Sequence, residues 1–348
     1  MKSKALLSKF YAGNYKRYLA LPAILFVVFA FLAFVSPGLE YGIDLKGGSL
    51  VVIGTDTAVN AAELEQAINA DFDLTELQVT PFQGGVQVQF GFNRELEEAR
   101  LAIEAAKTGD LTRCKDAVSK LAAYIPVELI PEEHAKCIKF ANELYGDALA
   151  AFDDRLDESI TAAIGAENIK DGGFTRTQIS PALGQLFWSN TQIILLIALI
   201  AVIIVIFLFF RAFVPSIAVL LAASFDILAA LGLMALFNVN FSLASISALL
   251  MLVGYSVDTD IMLTTRLLKR KFKSMRENAT DCLVTGLTMT GTTLGAVVVM
   301  LVFSSMWNLG VIYSIAIVLL FGLLGDLVST WFMNGPILMI YLERKAKK

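Results

Sequence analysis

The stretch GYSVDTDIMLTTR at residues 254–266 decides how this chain must fold, because it sets two carboxylates inside an apolar run over residues 241–263. Such a run can cross about 30 Å of hydrocarbon as a helix. A charge there costs roughly 2.5–3.5 kcal/mol on insertion scales, so Asp258 and Asp260 are candidate functional residues. Positions i and i+2 lie about 200° apart on a helix, so the two acids cannot share a face. Since a basic run begins at Arg266, Asp260 at a solvated helix end is the alternative.

The whole composition is that of a polytopic α-helical membrane protein. Of 348 residues, 56% are hydrophobic, and the apolar residues fall in segments long enough to span a bilayer. The predicted spans are residues 19–35, 193–210, 214–237, 243–263, 283–303 and 309–333. The predicted domains are an N-terminal tail, a first helix, a soluble domain, five further helices and a basic C-terminal tail, at residues 1–18, 19–35, 36–190, 191–341 and 342–348.

Lys and Arg residues beside the spans predict the orientation. Sixteen of them lie in residues 1–18, at Arg211, in residues 266–276 and in the last seven residues, whereas the short loops on the opposite side have none. The positive-inside rule therefore predicts cytoplasmic termini and a soluble domain outside the cytoplasmic membrane. That domain has 25 acidic and 12 basic residues, which argues against nucleic acid as a partner and against tight docking on anionic lipid.

The first span has the basic lead and apolar core of a signal peptide. Residues 35–37 lack a small-x-small cleavage site, so we predict an uncleaved anchor. Cys114 and Cys137 both fall in the predicted outer domain, where a disulfide can persist. Either a disulfide or two buried free thiols fits these two positions. Cys282 falls near the inner face and is predicted to be structural.

The outer domain shows a β-α-β-β-α-β pattern, which is typical of the ferredoxin-like fold. The predicted elements are residues 50–53, 57–72, 77–82, 86–92, 153–164 and 174–179. Gly47 and Gly48 precede the first strand, and we expect them to allow a close backbone approach or a bulge. No helix starts directly after them, so they do not predict a phosphate site.

Residues 94–152 interrupt this pattern and are predicted to be a helical insertion of two or three helices. The segment contains both outer cysteines and His134, the only histidine in the chain. A lone histidine without ligand-spaced neighbours predicts no metal site. The sequence contains no GxxxxGK[ST] motif and no visible nucleophile-base pair, so neither an enzyme nor a cofactor is predicted.

Two further acids, Asp226 and Asp326, fall well inside the third and sixth spans, and no Lys, Arg or His lies in the middle of any span. Each intramembrane carboxylate must therefore be protonated, hydrated, cation-bound, hydrogen-bonded to hydroxyls or paired with another subunit. We expect Asp226, Asp258, Asp260 and Asp326 to form a proton or cation relay.

The fifth span supplies hydroxyls for such a relay. Thr285, Thr288 and Thr292 fall on one helical face at i, i+3 and i+7, with Gly291 and Gly295 close by. Small residues allow close helix approach, and threonine hydroxyls can then hydrogen-bond an acid across the gap. The alternative is that this face only packs helices together.

Three motifs in order resemble the SecF family, the smaller partner of SecD in protein export, which is related to the resistance-nodulation-division (RND) transporters. They are YGIDLKGG after the first span, ISPALG before the second and GYSVDTDIMLTTR in the fourth. The motif residues are Gly42, Asp44, Gly47, Gly48, Pro181, Gly184, Gly254 and Arg266. The resemblance covers nearly the whole chain except residues 94–152.

This resemblance implies that the chain acts with SecD and a SecY-type channel on secreted or membrane polypeptides, without a cofactor. Bacterial members read closer to GYSINDT, whose Asp aligns with Thr259, and begin the fifth span with an arginine where this chain has Thr285. The acids at positions 258 and 260 are similar to an archaeal pattern. A proton relay is therefore a hypothesis for this chain. The alternatives are a non-conducting scaffold for SecD and the channel, or half of an RND-type lipid or solute exporter.

Overall fold

The computed structural model describes residues 15–57, 59–82, 84–107, 111–122, 124–127, 130–179, 181–269, 275–307 and 309–346. These residues form two compact units. The helix unit contains the described residues up to Leu45 and from Leu186 onward, and the sheet unit contains Lys46–Gln185. Six helices of the described chain are long and apolar enough to cross a membrane, which agrees with the predicted number.

In chain order, the helix α1 (Ala20–Phe34) is followed by a short helix α2 (Ile43–Lys46), whose last residue begins the sheet unit. The sheet unit continues with β1 (Gly48–Thr55), α3 (Ala61–Asp71), β2 (Gln78–Phe82), β3 (Gly85–Phe90), α4 (Arg94–Lys107), α5 (Leu111–Leu121), α6 (His134–Ile164) and β4 (Ile169–Ile179). Asn60 caps α3 by accepting a hydrogen bond from the Ala62 N–H at 3.2 Å, as expected for an Asn at a helix start.

The four strands form an antiparallel sheet in the order β2-β3-β1-β4. This order and the element sequence confirm the predicted ferredoxin-like fold. Alternate residues of the central strands, such as Val51, Ile53, Val86 and Val88, are buried against the helices because side chains alternate between the faces of a strand.

The predicted boundary between the insertion and the second helix of this fold is wrong. We predicted a helix over residues 153–164, but α6 is one continuous helix of 31 residues. The physical reason is a buried stripe that repeats every four residues across that boundary, at Leu144, Ala148, Phe152, Leu156 and Ile160. Among the described residues of the insertion, α4 and α5 are the separate helices.

The structure joins Cys114 of α5 to Cys137 of α6 in a disulfide bond, and both residues are buried. The ring of His134, at the start of α6, lies 2.9 Å from the Ala106 carbonyl oxygen through its Nε2 atom. The disulfide thus ties α5 to α6, and a hydrogen bond from the His134 ring to the Ala106 carbonyl oxygen ties α4 to α6. Cys282, in the helix unit, is buried and is not part of a disulfide bond.

The family glycines allow close backbone approach, as predicted for Gly47 and Gly48. Gly48 has φ +132°, and a Cβ there would lie 2.5 Å from the Phe90 carbonyl oxygen. A Cβ at Gly184 would lie 2.6 Å from the Gly47 backbone nitrogen. Side chains at these positions would displace backbone atoms.

The remaining helices are α7 (Pro181–Phe210), α8 (Phe213–Leu236), α9 (Leu243–Lys269), α10 (Met275–Met306), α11 (Gly310–Val328), a π-helix (Ser329–Asn334) and α12 (Gly335–Ala346). Helices α8, α9 and α11 pack on one another, whereas α7 is exposed along most of its length. Helix α7 begins twelve residues before the predicted second span, with Pro181 as its first residue, a position that suits proline.

Candidate functional site

Three carboxylates from three different helices are buried in the helix unit. Asp226 of α8 and Asp260 of α9 are 0% exposed, and Asp326 of α11 is 1% exposed. The apolar faces of these helices pack together, and each acid lies on such a face. The alternative that Asp260 marks a solvated helix end is therefore wrong.

Two serines hydrogen-bond both oxygens of Asp226. The Ser256 hydroxyl of α9 donates to Oδ2, and the Ser329 hydroxyl donates to Oδ1 at 2.6 Å. Both serines are 0% exposed. Asp226 is therefore held by hydroxyls from two other helical elements, and no water is needed to satisfy its oxygens.

One threonine hydroxyl lies between the other two acids. Thr330 Oγ1 is 3.1 Å from Asp260 Oδ1 and 3.1 Å from Asp326 Oδ1. A hydroxyl has one hydrogen, so it can donate to only one carboxylate at a time. The second contact is satisfied when the other acid is protonated and donates to Thr330. Asn334 completes the site, because its Nδ2 atom donates to Asp260 Oδ1 at 2.7 Å.

The π-helix explains why three polar residues reach these acids. It supplies Ser329, Thr330 and Asn334, all of them 0% exposed. π-Helical turns are rare and are frequent at functional sites. Within the same segment, Trp331 packs so closely against α10 that a Cβ at Gly286 would lie 2.3 Å from its ring. The segment is therefore fixed on both sides.

Sequence reasoning missed Ser256, Ser329, Thr330 and Asn334. A signal for Ser256 was present, since Ser256, Asp260 and Thr264 recur every four residues and form one polar stripe on α9. The π-helix residues also interrupt an apolar span, but their side-chain directions depend on a helical register that the sequence pattern does not reveal.

The structure does not bring Asp258 to this site. Asp258 is exposed on the opposite side of α9, as the 200° separation from Asp260 predicts. The predicted role of the fifth-span threonines is wrong. Thr285, Thr288 and Thr292 donate to carbonyl oxygens of their own helix, and the latter two are exposed.

Gly291 and Gly295 have no atom within 4 Å of the position of a Cβ, among the residues that the structure describes. The predicted close helix approach at these two glycines is therefore wrong for contacts within the described chain. Gly254 of α9 is equally open. Arg266 donates from Nη1 to Thr285 Oγ1 at 3.0 Å, so this base contacts α10.

The motif residues Gly42 and Asp44 contact the backbone at the start of α9. The Gly42 N–H donates to the Phe241 carbonyl oxygen at 2.8 Å, and Asp44 accepts a hydrogen bond from the Leu243 N–H. Burial raises the pKa of Asp44 above its usual value, and the Leu243 N–H opposes that shift. A carboxylate at a helix N-terminus is favourable, so Asp44 fixes the first turn of the helix that contains Asp260.

The described part of the chain contains no ion pair between the three buried acids and a Lys, Arg or His. It also contains no group of three or more His, Cys, Asp or Glu residues that could hold a metal ion. Instead, Thr330 lies between Asp260 and Asp326, and the hydroxyls of Ser256 and Ser329 donate to Asp226.

Two family models match the chain. One, described as protein export membrane protein SecD/SecF, C-terminal, matches residues 163–344, and the other, the SecD/SecF GG motif, matches residues 32–59. The six apolar helices and the paired glycines agree with these matches. They define the class as membrane proteins of protein export.

Curated relatives make the assignment more specific. A protein-export membrane protein SecF from Methanothermobacter thermautotrophicus is 32% identical over 336 residues, which cover 96% of this chain and 94% of that protein. A protein of the same name from Methanolacinia petrolearia is 38% identical over 232 residues, which cover 67% of this chain and 78% of that protein. The chain belongs to the SecF family of protein-export membrane proteins.

The fold is also similar to the crystal structure of SecDF, a translocon-associated membrane protein from Thermus thermophilus. The TM-score is 0.64 at 17% sequence identity, and the match covers 95% of this chain and 38% of that chain. This chain thus spans little more than a third of the length of that protein.

Proposed function

We propose that this chain acts with a SecD partner at a SecY-type channel, and that ion movement through Asp226, Asp260 and Asp326 drives polypeptide translocation across the cytoplasmic membrane. Family membership supports the role in protein export. The observation that carries the ion-driven part is the complete burial of three carboxylates whose described partners are hydroxyls and an amide.

Thr330 gives these acids a means of coupling. When Asp326 binds a positive charge, the Thr330 hydroxyl is free to donate to an ionised Asp260. When Asp260 is neutralised instead, the same hydroxyl donates to Asp326. Rotation of one hydroxyl therefore links the charge states of two helices, α9 and α11, while the heavy atoms stay in place.

The exposed side of α9 supports a partner within the membrane. Ser247, Met251, Gly254 and Asp258 are exposed along one face of that helix. The neighbouring face of α10 exposes a similar set of small and polar residues, Thr288, Gly291, Thr292 and Gly295. The two faces are adjacent, because Thr293 donates to the Tyr255 hydroxyl at 2.7 Å. Lipid suits an exposed carboxylate poorly, whereas small residues allow close helix packing, so this face fits SecD.

Photocrosslinking tests that interface. A crosslinking amino acid at Met251 is expected to capture SecD, and the same group at Ile204 of α7 serves as the matched control. Both side chains are 52% exposed. Equal capture at the two positions, or capture only at Ile204, would contradict this placement of SecD.

The orientation is part of the proposal. The basic residues beside the helices favour cytoplasmic termini, with residues 36–190 outside. In spheroplasts, a single cysteine replacing exposed Asp154 is expected to react with a membrane-impermeant maleimide. A cysteine replacing Lys345 is expected to react only after lysis, and the reverse pattern would invert the topology.

The central experiment measures ion flux in proteoliposomes that contain this chain and its SecD partner. We expect imposed pH or sodium gradients to drive flux in the wild type, and Asp260→Asn to abolish it. Asp258→Asn is the matched control, because it makes the same change two residues away on the exposed face. Asparagine keeps the size and polarity of the side chain on the face proposed to bind SecD, so this control is expected to retain flux. Polypeptide export is measured in the same variants.

Two results would overturn the ion-driven part. Flux that is lost in Asp258→Asn and retained in Asp260→Asn would show that the ion moves through Asp258 and that the proposed site is wrong. Absence of flux in the wild type, while export still depends on the chain, would leave a scaffold for SecD and the channel as the function.

A further inference from the structure

The three buried acids differ in how completely their oxygens are hydrogen-bonded. Both oxygens of Asp226 accept hydrogen bonds from serines. Asp260 accepts two hydrogen bonds at Oδ1, but its Oδ2 atom is buried and has no hydrogen-bond partner among the described residues. An unsatisfied carboxylate oxygen in a buried site is costly and requires an explanation. Asp260 is therefore the acid with free ligand capacity.

Two more buried oxygens near Asp260 also lack a hydrogen-bond partner among the described residues. Asn334 Oδ1 and Thr264 Oγ1 also have no hydrogen-bond partner within the described chain, and both residues are 0% exposed. The Asn334 amide lies beside Asp260, since its Nδ2 atom is 2.7 Å from Asp260 Oδ1. Thr264 follows Asp260 by four residues, which puts the two Cβ atoms about 5–6 Å apart on one helix face.

These three atoms form a set of hard oxygen ligands: one carboxylate, one carboxamide and one hydroxyl. Such oxygens suit hard cations. A single carboxylate balances one positive charge, so these three oxygens favour a monovalent ion. A proton would engage one carboxylate oxygen and leave the oxygens of Asn334 and Thr264 without a partner.

We propose that Asp260 Oδ2, Asn334 Oδ1 and Thr264 Oγ1 bind a monovalent alkali cation, and that this cation is the ion moved by the site. This inference rests on the proposed function, because it names the ion for the same carboxylates. Binding neutralises Asp260 and leaves the Thr330 hydroxyl free to donate to Asp326. The cation thus replaces the proton in the coupling through Thr330.

The first test measures thermal stability of the full chain in detergent with NaCl, KCl or choline chloride at equal ionic strength. A ligand that binds only the folded state raises the melting temperature with its concentration. We expect an alkali chloride to stabilise the wild type above choline chloride. Thr264→Val is expected to need at least tenfold more salt for the same rise.

Matched variants keep this test specific. Thr265→Val removes a neighbouring buried hydroxyl that also lacks a described partner but lies on another face of α9, and it is expected to respond as the wild type does. Thr264→Ser retains the hydroxyl and is expected to show the wild-type rise in melting temperature with salt. This variant keeps the test decisive if Thr264→Val folds poorly. Equal stabilisation by all three salts in the wild type would overturn the cation site.

The second test separates this inference from the proposed function. Proteoliposomes containing the chain and SecD are given a sodium gradient, a potassium gradient or a pH gradient. Flux of ²²Na⁺ or of the potassium tracer ⁸⁶Rb⁺ that is lost in Thr264→Val supports the cation site. Flux driven by the pH gradient alone and lost in Asp260→Asn overturns the cation site and keeps the ion-driven function. Absence of flux under all three gradients overturns both proposals.

Discussion

Carboxylates in the two units are balanced by different partners. In the sheet unit, Asp153 and Asp157 of α6 form ion pairs with Arg176 of β4. Burial raises the pKa of Asp153, and the Arg176 charge opposes that shift. In the helix unit, Asp226, Asp260 and Asp326 instead receive hydrogen bonds from hydroxyls and an amide.

This difference distinguishes charges that hold a structure from charges that can change. A guanidinium remains charged and only donates, so it favours the ionised form of a carboxylate beside it. A hydroxyl can donate to an ionised carboxylate or accept from a protonated one. The sheet unit therefore contains carboxylates beside a fixed charge, whereas the hydroxyls around the acids of the helix unit can hydrogen-bond either form of a carboxyl group.

The largest effect is expected from removal of one exchangeable charge. Asp326→Asn keeps the shape of the side chain and a possible contact with Thr330, but it cannot gain or lose a charge. We expect complete loss of ion flux in proteoliposomes and a melting temperature close to that of the wild type. Wild-type flux in a correctly inserted Asp326→Asn variant would remove this acid from the relay.

In the sheet unit the corresponding change affects stability. Replacing both Cys114 and Cys137 by serine removes a covalent link between α5 and α6. The chain-entropy model gives a loss of about 3 kcal/mol for a loop of this size. Thermal unfolding with limited proteolysis is expected to show earlier cleavage in residues 94–164. Cys282→Ser is the control, and equal sensitivity in the control would contradict the prediction.

A smaller loss is expected when a fixed ion pair is broken. Arg176→Met leaves Asp153 and Asp157 without their base. We expect the free energy of unfolding to fall by about 1–2 kcal/mol, since solvent screens the pair at the partly exposed Asp157. Lys139→Met is the control, since that lysine is 80% exposed and 3.8 Å from Glu143. Denaturation of the full chain measures the free energy of unfolding of both variants. A loss of ion flux in Arg176→Met with unchanged stability would break the distinction between the two units.

The smallest effect concerns a phenol of the sheet unit. Burial, followed by the hydrogen bond with Glu95, raises the pKa of Tyr124 to about 12. Because this folded-state value exceeds the usual 10, the stabilisation is present below pH 10 and is lost as the pH rises through 12. Stability is expected to fall more steeply above pH 10 in the wild type than in Tyr124→Phe, by less than about 1 kcal/mol. Equal slopes would show that Tyr124 ionises normally.

Much of the fold follows from the sequence, because long apolar segments and alternating strands have local signals. Separation of Asp258 from Asp260 also followed from helix geometry. The sequence did not reveal which of these two acids is buried, because that depends on how α8 and α11 pack against α9. The same limit applies to Thr288, which has suitable spacing but lies on an exposed face.

The site was predictable only in part for a related reason. Intramembrane acids are visible as breaks in apolar runs, but partners such as Ser256 and Ser329 lie 30 and 103 residues away from Asp226. Serine and threonine are common in membrane helices, so their presence alone selects no partner. The π-helical register then decides which of them reach the acids.

That π-helix has a consequence for how the chain can vary in length. A π-helical turn accommodates one residue more than an α-helical turn, so deleting a single residue between positions 329 and 334 would let α11 and α12 join as an ordinary helix. The shortened protein would gain regular backbone hydrogen bonds and could unfold at a higher temperature. Its later residues would be rotated by about 100°, which turns the Asn334 side chain away from Asp260. The surplus residue is thus expected to lower stability while it keeps Asn334 within hydrogen-bond distance of Asp260.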